Sequence, residues 1–264
     1  MIYDRELELA VTAATRAGAR LRELMQGEIP ILSQIGRDIK LQADQDAEAI
    51  ILEVLAESGF PVLAEESGEH GAVGGDQPAW IVDPLDGTLN FSRRLPICCV
   101  SIALSVGMQP VLGVIYDFNR DELFTGFASG GAWLNGLPIT VSAATSAEKA
   151  MLCTGLPTRR AFDHASIDRF VHETLRFKKV RLLGSAALML AYVACARVDA
   201  YAEDGTMYWD VAAGVAIIAG AGGFVHMEDS SVAAWCRNVR CGASAALWPD
   251  LTGGAANAAS PGSN

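Results

Sequence analysis

Again and again this 264-residue chain drives an apolar run into a carboxylate, and that habit constrains its fold more than any other feature. In WIVDPLDGTLNF, Trp80 to Phe91, three apolar residues lead into Asp83; Pro84 and Leu85 follow, and Asp86 comes next, ahead of Gly87 and Thr88. Glu65 and Glu66 close PVLA, Glu203 closes DAYA, and Asp210 opens WDVAAG in the same manner. A single acid at a strand end or helix start is ordinary, because water and the helix dipole suit it there. Four such places, preceded by Trp and branched residues that keep them partly buried, repel one another and resist desolvation unless something positive joins them.

The periodicities give the elements between these acids. Leu7, Ala10, Val11, Ala14, Leu21, Leu24 and Met25 follow helical spacing, so residues 4–26 read as an amphipathic helix. Ala47, Ile50, Ile51, Val54 and Leu55 predict a second helix after QAD, and GEIPILSQIGRDIK between the two reads as a loop with some strand. From Pro61 the period shortens. Residues 98–106 alternate with period two, and PVLGVIYD, ELFTGF and GGAWLNG continue as an antiparallel meander with short turns. Beyond the Ala/Ser/Thr-rich link at 141–150, the pattern predicts a strand near Met151–Thr154, a helix over 163–176 and a strand at 179–183. Gly184-Ser185 then opens a helix with Ser185 as N-cap; VDAYAED is a strand, WDVAAGVAIIAGAGG a helix and GGFVHME a strand. Segregated helices and antiparallel strands predict a layered α+β sandwich instead of a doubly wound parallel sheet. Residues 1–250 read as one domain with sub-lobes at about 1–140 and 151–250, and 251–264 as a disordered tail without core-forming residues.

Charge narrows the class of partner. The net charge of −11, from 31 acids against 20 bases, disfavours nucleic acid and anionic membranes as partners. It disfavours a small phosphorylated substrate too, unless bound cations reverse the local sign. The six cysteines lack C-x-x-C spacing and read as free thiols, and the four histidines show no zinc-ligand spacing. The first residues carry acids where a secretory signal needs bases, and no apolar run reaches membrane-spanning length, so the sequence predicts a soluble cytoplasmic protein.

Carboxylates without nearby His or Cys select hard cations, Mg²⁺ or Mn²⁺. Pro84 fixes a rigid turn that can aim Asp83, the Leu85 carbonyl and Asp86 at one point. Gly87 allows close approach to a ligand, Thr88 opens a short helix, and their amides form an anion site. Metal ions beside an anion-binding turn suit phosphoryl-group hydrolysis.

WIVDPLDGTLNF, with EES upstream and WDVAAG downstream, resembles the inositol monophosphatase family of Mg²⁺-dependent, lithium-sensitive phosphatases, in order up to about residue 245. The resemblance implies an α/β/α/β/α sandwich of the type shared with fructose-1,6-bisphosphatase, two or three Mg²⁺ ions and a homodimer. It implies that Glu65, Asp83, the Leu85 carbonyl, Asp86 and Asp210 are metal ligands. Glu65 also helps to hold the attacking water, and Thr88, supported by Asp44, orients it. Asp86, Gly87 and Thr88 fall at the phosphate, and Gly184, Ser185, Ala186 and Glu203 at sugar or cyclitol hydroxyls. The implied reaction is in-line attack by metal-activated water on a small cyclitol, sugar or polyol phosphate. DGTLNF is closer to the DGTxNF form of inositol monophosphatases than to the DGTKEF form of bisphosphate nucleotidases. A 3′(2′),5′-bisphosphate nucleotidase, a fructose-1,6-bisphosphatase or a histidinol-phosphate phosphatase is the alternative enzyme. A regulatory binding protein, or a fold in which Ca²⁺ or Mg²⁺ is purely structural, is the alternative of another class. Two departures stand out. IKLQAD replaces the usual VT..D, putting Lys40 and Leu41 before Asp44, and Arg159-Arg160 could reach a second anionic group or simply form a solvated pair.

Overall fold

Ala10, Ala13, Ala14, Ala17 and Leu21 recur on one face of the first helix, and all are fully buried. Their small side chains let α1 (Asp4–Leu24) lie close to what it covers: a Cβ on Gly18 would come within 2.5 Å of the Tyr116 ring. The computed structural model describes residues 3–35, 38–156 and 164–252. After α1, β1 (Ile31–Ile35) and β2 (Asp38–Leu41) pair as an antiparallel hairpin where a loop with some strand was expected, and β2 runs directly into α2 (Gln42–Leu55).

The first sheet follows with β3 (Val62–Ala64), β4 (Gly68–His70) and β5 (Pro78–Asp86), then helix α3 (Thr88–Ser92). The meander is β6 (Cys99–Val106), β7 (Gln109–Asp117), β8 (Glu122–Phe127), β9 (Gly131–Leu134) and β10 (Leu137–Pro138), and the spatial order is β10-β9-β8-β7-β6-β5-β3-β4. The second half comprises β11 (Met151–Thr154), α4 (His164–Leu175), β12 (Lys179–Arg181), α5 (Ala186–Ala194) and β13 (Ala200–Met207). It ends with α6 (Tyr208–Gly220), β14 (Phe224–Asp229), β15 (Cys236–Gly242) and α7 (Pro249–Thr252). Its sheet has the order β12-β11-β13-β15-β14.

Not every pairing is antiparallel. β3 runs parallel to β5, and β11 runs parallel to both β12 and β13. Parallel neighbours need a crossover, and α4 and α5 supply it in the second sheet. The expected helix over 163–176 is present as His164–Leu175, and the strand at 179–183 shortens to Lys179–Arg181. Arg159 and Arg160, and the tail beyond Thr252, lie outside the described residues.

The layers are α/β/α/β/α, as the resemblance implied. α1 and α2 cover one face of the first sheet, where Leu21, Ile51, Trp80, Val82 and Phe91 share a core. α5 and α6 fill the space between the sheets with a second core that takes in Ile81, Leu190, Ile217 and Tyr201. α6 is apolar nearly all round because it is buried on every side. On the outer face of the second sheet Leu152, Ala200, Ala202, Phe177 and Trp248 form a third core, and α4 is tied to β15 by the Glu173 carboxylate on the Arg240 guanidinium. Successive β5 residues alternate between the two cores, so Ile81 and Asp83 share the α5/α6 side.

The six thiols are free, with Cys195 partly exposed and the others buried. Among the described residues no helix is long and apolar enough to cross a membrane.

Gly113 on β7 shows how tightly α6 lies on the sheet. A Cβ there would overlap the Ala213 carbonyl oxygen, a backbone atom that cannot move without displacing the helix. Gly113→Ala should therefore lower stability by about 3 kcal/mol, at the upper end of ordinary overpacking. Gly27→Ala, whose nearest neighbour would be 3.8 Å away, should change it by less than about 0.5 kcal/mol. Urea denaturation of both variants is the measurement, and equal midpoints would rule out the close contact.

Candidate active site

At its C-terminal end β5 leaves the regular ladder. Asp83 pairs with Ser101 of β6, and the next pair is Asp86 with Cys99, so Pro84 and Leu85 bulge out of register. The Asp83 carboxylate accepts the Leu85 N–H at 3.0 Å, which closes the turn locally. Gly87 then adopts φ +92° and caps α3. Its need for glycine comes from that angle and from its neighbours: a Cβ would lie 2.7 Å from the Ile97 carbonyl.

Asp86 points across to the N-terminus of α5. Its carboxylate accepts the Ser185 hydroxyl at 2.5 Å and the amides of Ala187 at 2.8 Å and Ala186 at 3.2 Å. Ser185 caps α5 as the sequence predicts, its oxygen accepting the Leu188 N–H at 3.3 Å. The Ser185 hydroxyl and the Ala186 amide, expected near substrate hydroxyls, are thus engaged by Asp86, and Ser185 is only 1% exposed. Gly184 is exposed and Ala186 partly so. The Asn90 carboxamide donates to the carbonyls of Leu183 at 2.8 Å and Gly184 at 3.2 Å, tying α3 to the start of α5.

Three further elements deliver acids to the same place. Asp44, in the first turn of α2, accepts the Leu41 N–H at 2.6 Å and the Thr88 hydroxyl at 3.2 Å. The same hydroxyl lies 3.0 Å from the Leu85 carbonyl oxygen, so Thr88 connects Asp44 to the β5 turn. Glu65, one residue past β3, brings its carboxyl beside that of Asp83. Asp210, in the first turn of α6, accepts the Thr206 hydroxyl at 3.0 Å and the Met207 N–H at 3.1 Å.

Electrostatics confirm the crowding. Burial, with repulsion from Asp210 behind it, pushes the Glu65 carboxyl well above its ordinary range. Burial and then the charges of Glu65, Asp86 and Asp210 do the same to Asp83. Burial also raises Asp86, against the opposing pull of its α5 donors. Asp44 is pushed up to about 7, chiefly by burial.

On the facing strand, burial pushes Glu203 up to about 8, against the Tyr201 phenol, which donates to its carboxylate at 2.8 Å. Gly155 backs that carboxylate so closely that a Cβ would overlap its oxygens.

The chain's similarities bear on what this cluster does. The sequence profile of the inositol monophosphatase family matches residues 3–259. An inositol-1-monophosphatase of Synechocystis sp. is 43% identical over 232 residues, covering 85% of this chain and 79% of that protein. The chain belongs to the inositol monophosphatase family. The Nus factor SuhB of Salmonella typhimurium is 40% identical over 230 residues, covering 83% of this chain and 84% of that protein. The structure of an inositol monophosphatase from Anabaena (Nostoc) sp. superposes with a TM-score of 0.80 at 38% identity, covering 94% of each chain. Inositol monophosphatases are metal-dependent hydrolases of phosphomonoesters, and this chain is an enzyme of that class.

The residues present fit such a metal. The donor set is all oxygen, and its acids raise one another's proton affinity, which a hard cation relieves. Among the described residues no three of these side chains already converge in ligand geometry.

Several residues around the acids escaped the sequence reading. Tyr201 shares the strand face of Glu203 two residues on, a period-two signal that could have marked it. Thr206 stands one turn before Asp210. Gly155 and Asn90 act on residues distant in sequence and left no local sign.

An acid raised on folding makes the native state hold more protons than the unfolded chain, so stability falls as pH rises from the ordinary carboxyl range towards the raised values. Those values are about 7 for Asp44 and about 8 for Glu203. In chelator, the melting temperature should fall between about pH 5 and pH 8, and the gain from millimolar Mg²⁺ should grow over the same window. Calorimetry with and without the cation measures both, and a gain larger at low pH than at high pH would contradict the account.

Proposed function

We propose that the protein is a Mg²⁺-dependent phosphomonoesterase acting on a small cyclitol, sugar or polyol phosphate of the inositol-1-phosphate kind. Glu65, Asp83, the Leu85 carbonyl, Asp86 and Asp210 hold the cations in this reading, with the phosphate at the amides of Gly87 and Thr88 beside Asp86. A divalent cation there supplies charge neutralisation and acidifies water.

The observation that carries the reading is the Thr88 hydroxyl, held between Asp44 and the Leu85 carbonyl at the edge of the acid cluster. A water that hydrogen-bonds to Thr88 Oγ1 and Glu65 is aligned for attack, and Asp44 Oδ1 takes up the proton passed through the threonine hydroxyl. Leu41 stands where the family pattern has threonine, and its backbone N–H is what holds the other Asp44 oxygen.

Glu203, Ala186 and Gly184 form the side that meets the alcohol. The carboxyl of Glu203, fixed by Tyr201 and Gly155, suits hydroxyl groups better than a second anion. The Synechocystis relative's name supports the cyclitol assignment. Lithium inhibition, homodimer assembly and a cytoplasmic location belong to the same reading.

The Nus factor relatives favour a second reading, a regulatory partner of other macromolecules. The net charge of −11 argues against direct contact with RNA.

Phosphate release from a panel of monoesters with Mg²⁺ should be highest on an inositol or polyol phosphate. Strong preference for adenosine 3′,5′-bisphosphate or fructose 1,6-bisphosphate would overturn the substrate assignment. Asp83→Asn should cut the rate by more than about a hundredfold, beyond what loss of an outer-sphere contact causes. Undiminished release by that variant would sink the enzymatic role of the cluster.

A further inference from the structure

Lys40 is the residue that the family pattern leaves unexplained, and its side chain reaches the edge of the acid cluster. Its ammonium pairs with Glu66 Oε2 at 2.8 Å. The Glu66 side chain is 9% exposed, whereas that of Lys40 is 41% exposed. Glu66 is held from the other side too, its N–H donating at 3.0 Å to Glu48, a buried residue of α2. Glu66 follows Glu65 directly, and its charge acts on both Glu65 and Asp44. The hairpin strand β2 therefore places one positive charge against Glu66, the neighbour of Glu65.

A unit charge so placed affects two ligands with opposite sign. It weakens binding of a divalent cation to the neighbouring carboxylates and strengthens binding of a phosphate dianion. We propose that Lys40, acting through Glu66, is a positioning residue that sets the balance between cation affinity and phosphomonoester affinity. The inference rests on the metal-site reading of Glu65, Asp83, Asp86 and Asp210. It adds a residue that the IKLQAD sequence introduces and that a valine in the VT..D pattern could not replace.

The test uses the full chain. Mn²⁺ binding is followed by electron paramagnetic resonance of the free ion, and KM and kcat are measured on a phosphomonoester at saturating Mg²⁺. Lys40→Met should bind Mn²⁺ about three- to tenfold more tightly while KM rises by a similar factor, a size in keeping with one partly solvated charge. Glu66→Gln should shift both in the reverse direction. The Lys40→Met/Glu66→Gln double variant should return towards wild type in both, because the net charge is restored. Lys40→Arg should behave as wild type.

A purely structural role moves both affinities the same way. Weaker Mn²⁺ binding together with a higher KM in Lys40→Met, or a double variant as altered as the single one, overturns the proposal. Unchanged values in Lys40→Met overturn it too. If wild type hydrolyses no monoester but Mn²⁺ binding still shifts as described, the functional reading fails and the charge effect on the cation stands. Melting temperatures of all variants establish that each is folded.

Discussion

The carboxylate of Asp86 reaches from the end of β5 in the first sheet to the start of α5 in the central layer, where the Ser185 hydroxyl and two backbone amides donate to it. Hydrogen bonds to an ionised group contribute about 1.5–3 kcal/mol each, and burying an unpaired carboxylate costs several. The N-terminus of a helix is one of the few places in a protein interior where these opposing effects can balance. α5 must therefore start where β5 ends. Gly184, with its positive φ, and Asn90, which holds the preceding carbonyls, fix that starting point from either side.

The other acids follow the same rule. Asp83, Asp44 and Asp210 each sit at a strand end or in a helix first turn and are met by a donor from the local backbone: Leu85 N–H for Asp83, Leu41 N–H for Asp44, Met207 N–H for Asp210. A local donor satisfies one oxygen of each of these three acids, so several can be brought close together. Repulsion among them remains, as the raised Glu65 and Asp83 show. The fold holds this arrangement because large cores on both sides of the first sheet offset the electrostatic cost. Trp80 and Val82 anchor β5 on the α1/α2 side and Ile81 on the α5/α6 side, immediately before the acids begin.

What could be read from the sequence is what is local. The DPLD turn, the Ser185 cap, the alternating meander and the long apolar helices are set by neighbours within a few residues, and periodicity or turn chemistry reveals them. The parallel pairs of β11 are decided by how α4 and α5 cross the sheet, which alternation cannot register. Gly113 has the appearance of a weak strand residue and is a point of backbone contact with a helix about a hundred positions later. Asp44 illustrates the limit at the site. In sequence it is an ordinary first-turn acid, and its bond to the Leu41 N–H bears that out; its bond to Thr88, 44 residues away, is what joins it to the cluster. Lys40 was visible as a departure, but its partner was not.

Different layers carry the two halves of the site. The crowded acids come from the first sheet and from the helix termini packed on it, whereas Glu203, Tyr201 and Gly155 belong to the second sheet. Arg240 steadies that second wall. Its guanidinium donates to Glu173 of α4, to Asp204 at 2.9 Å and to the Glu203 carbonyl at 3.3 Å, which ties the outer helix to the Glu203 strand. Beneath α4 a cavity of about 600 Å³ is lined by Gly155, Phe170, Glu203 and Arg240 among others. Two links join that wall to the acids: the α5 terminus through Asp86, and the end of β13, where Thr206 and Met207 donate to Asp210. In the proposed function the reaction class is set by the short DPLD turn and its neighbouring acids, and the choice of alcohol by the separate layer that carries Glu203.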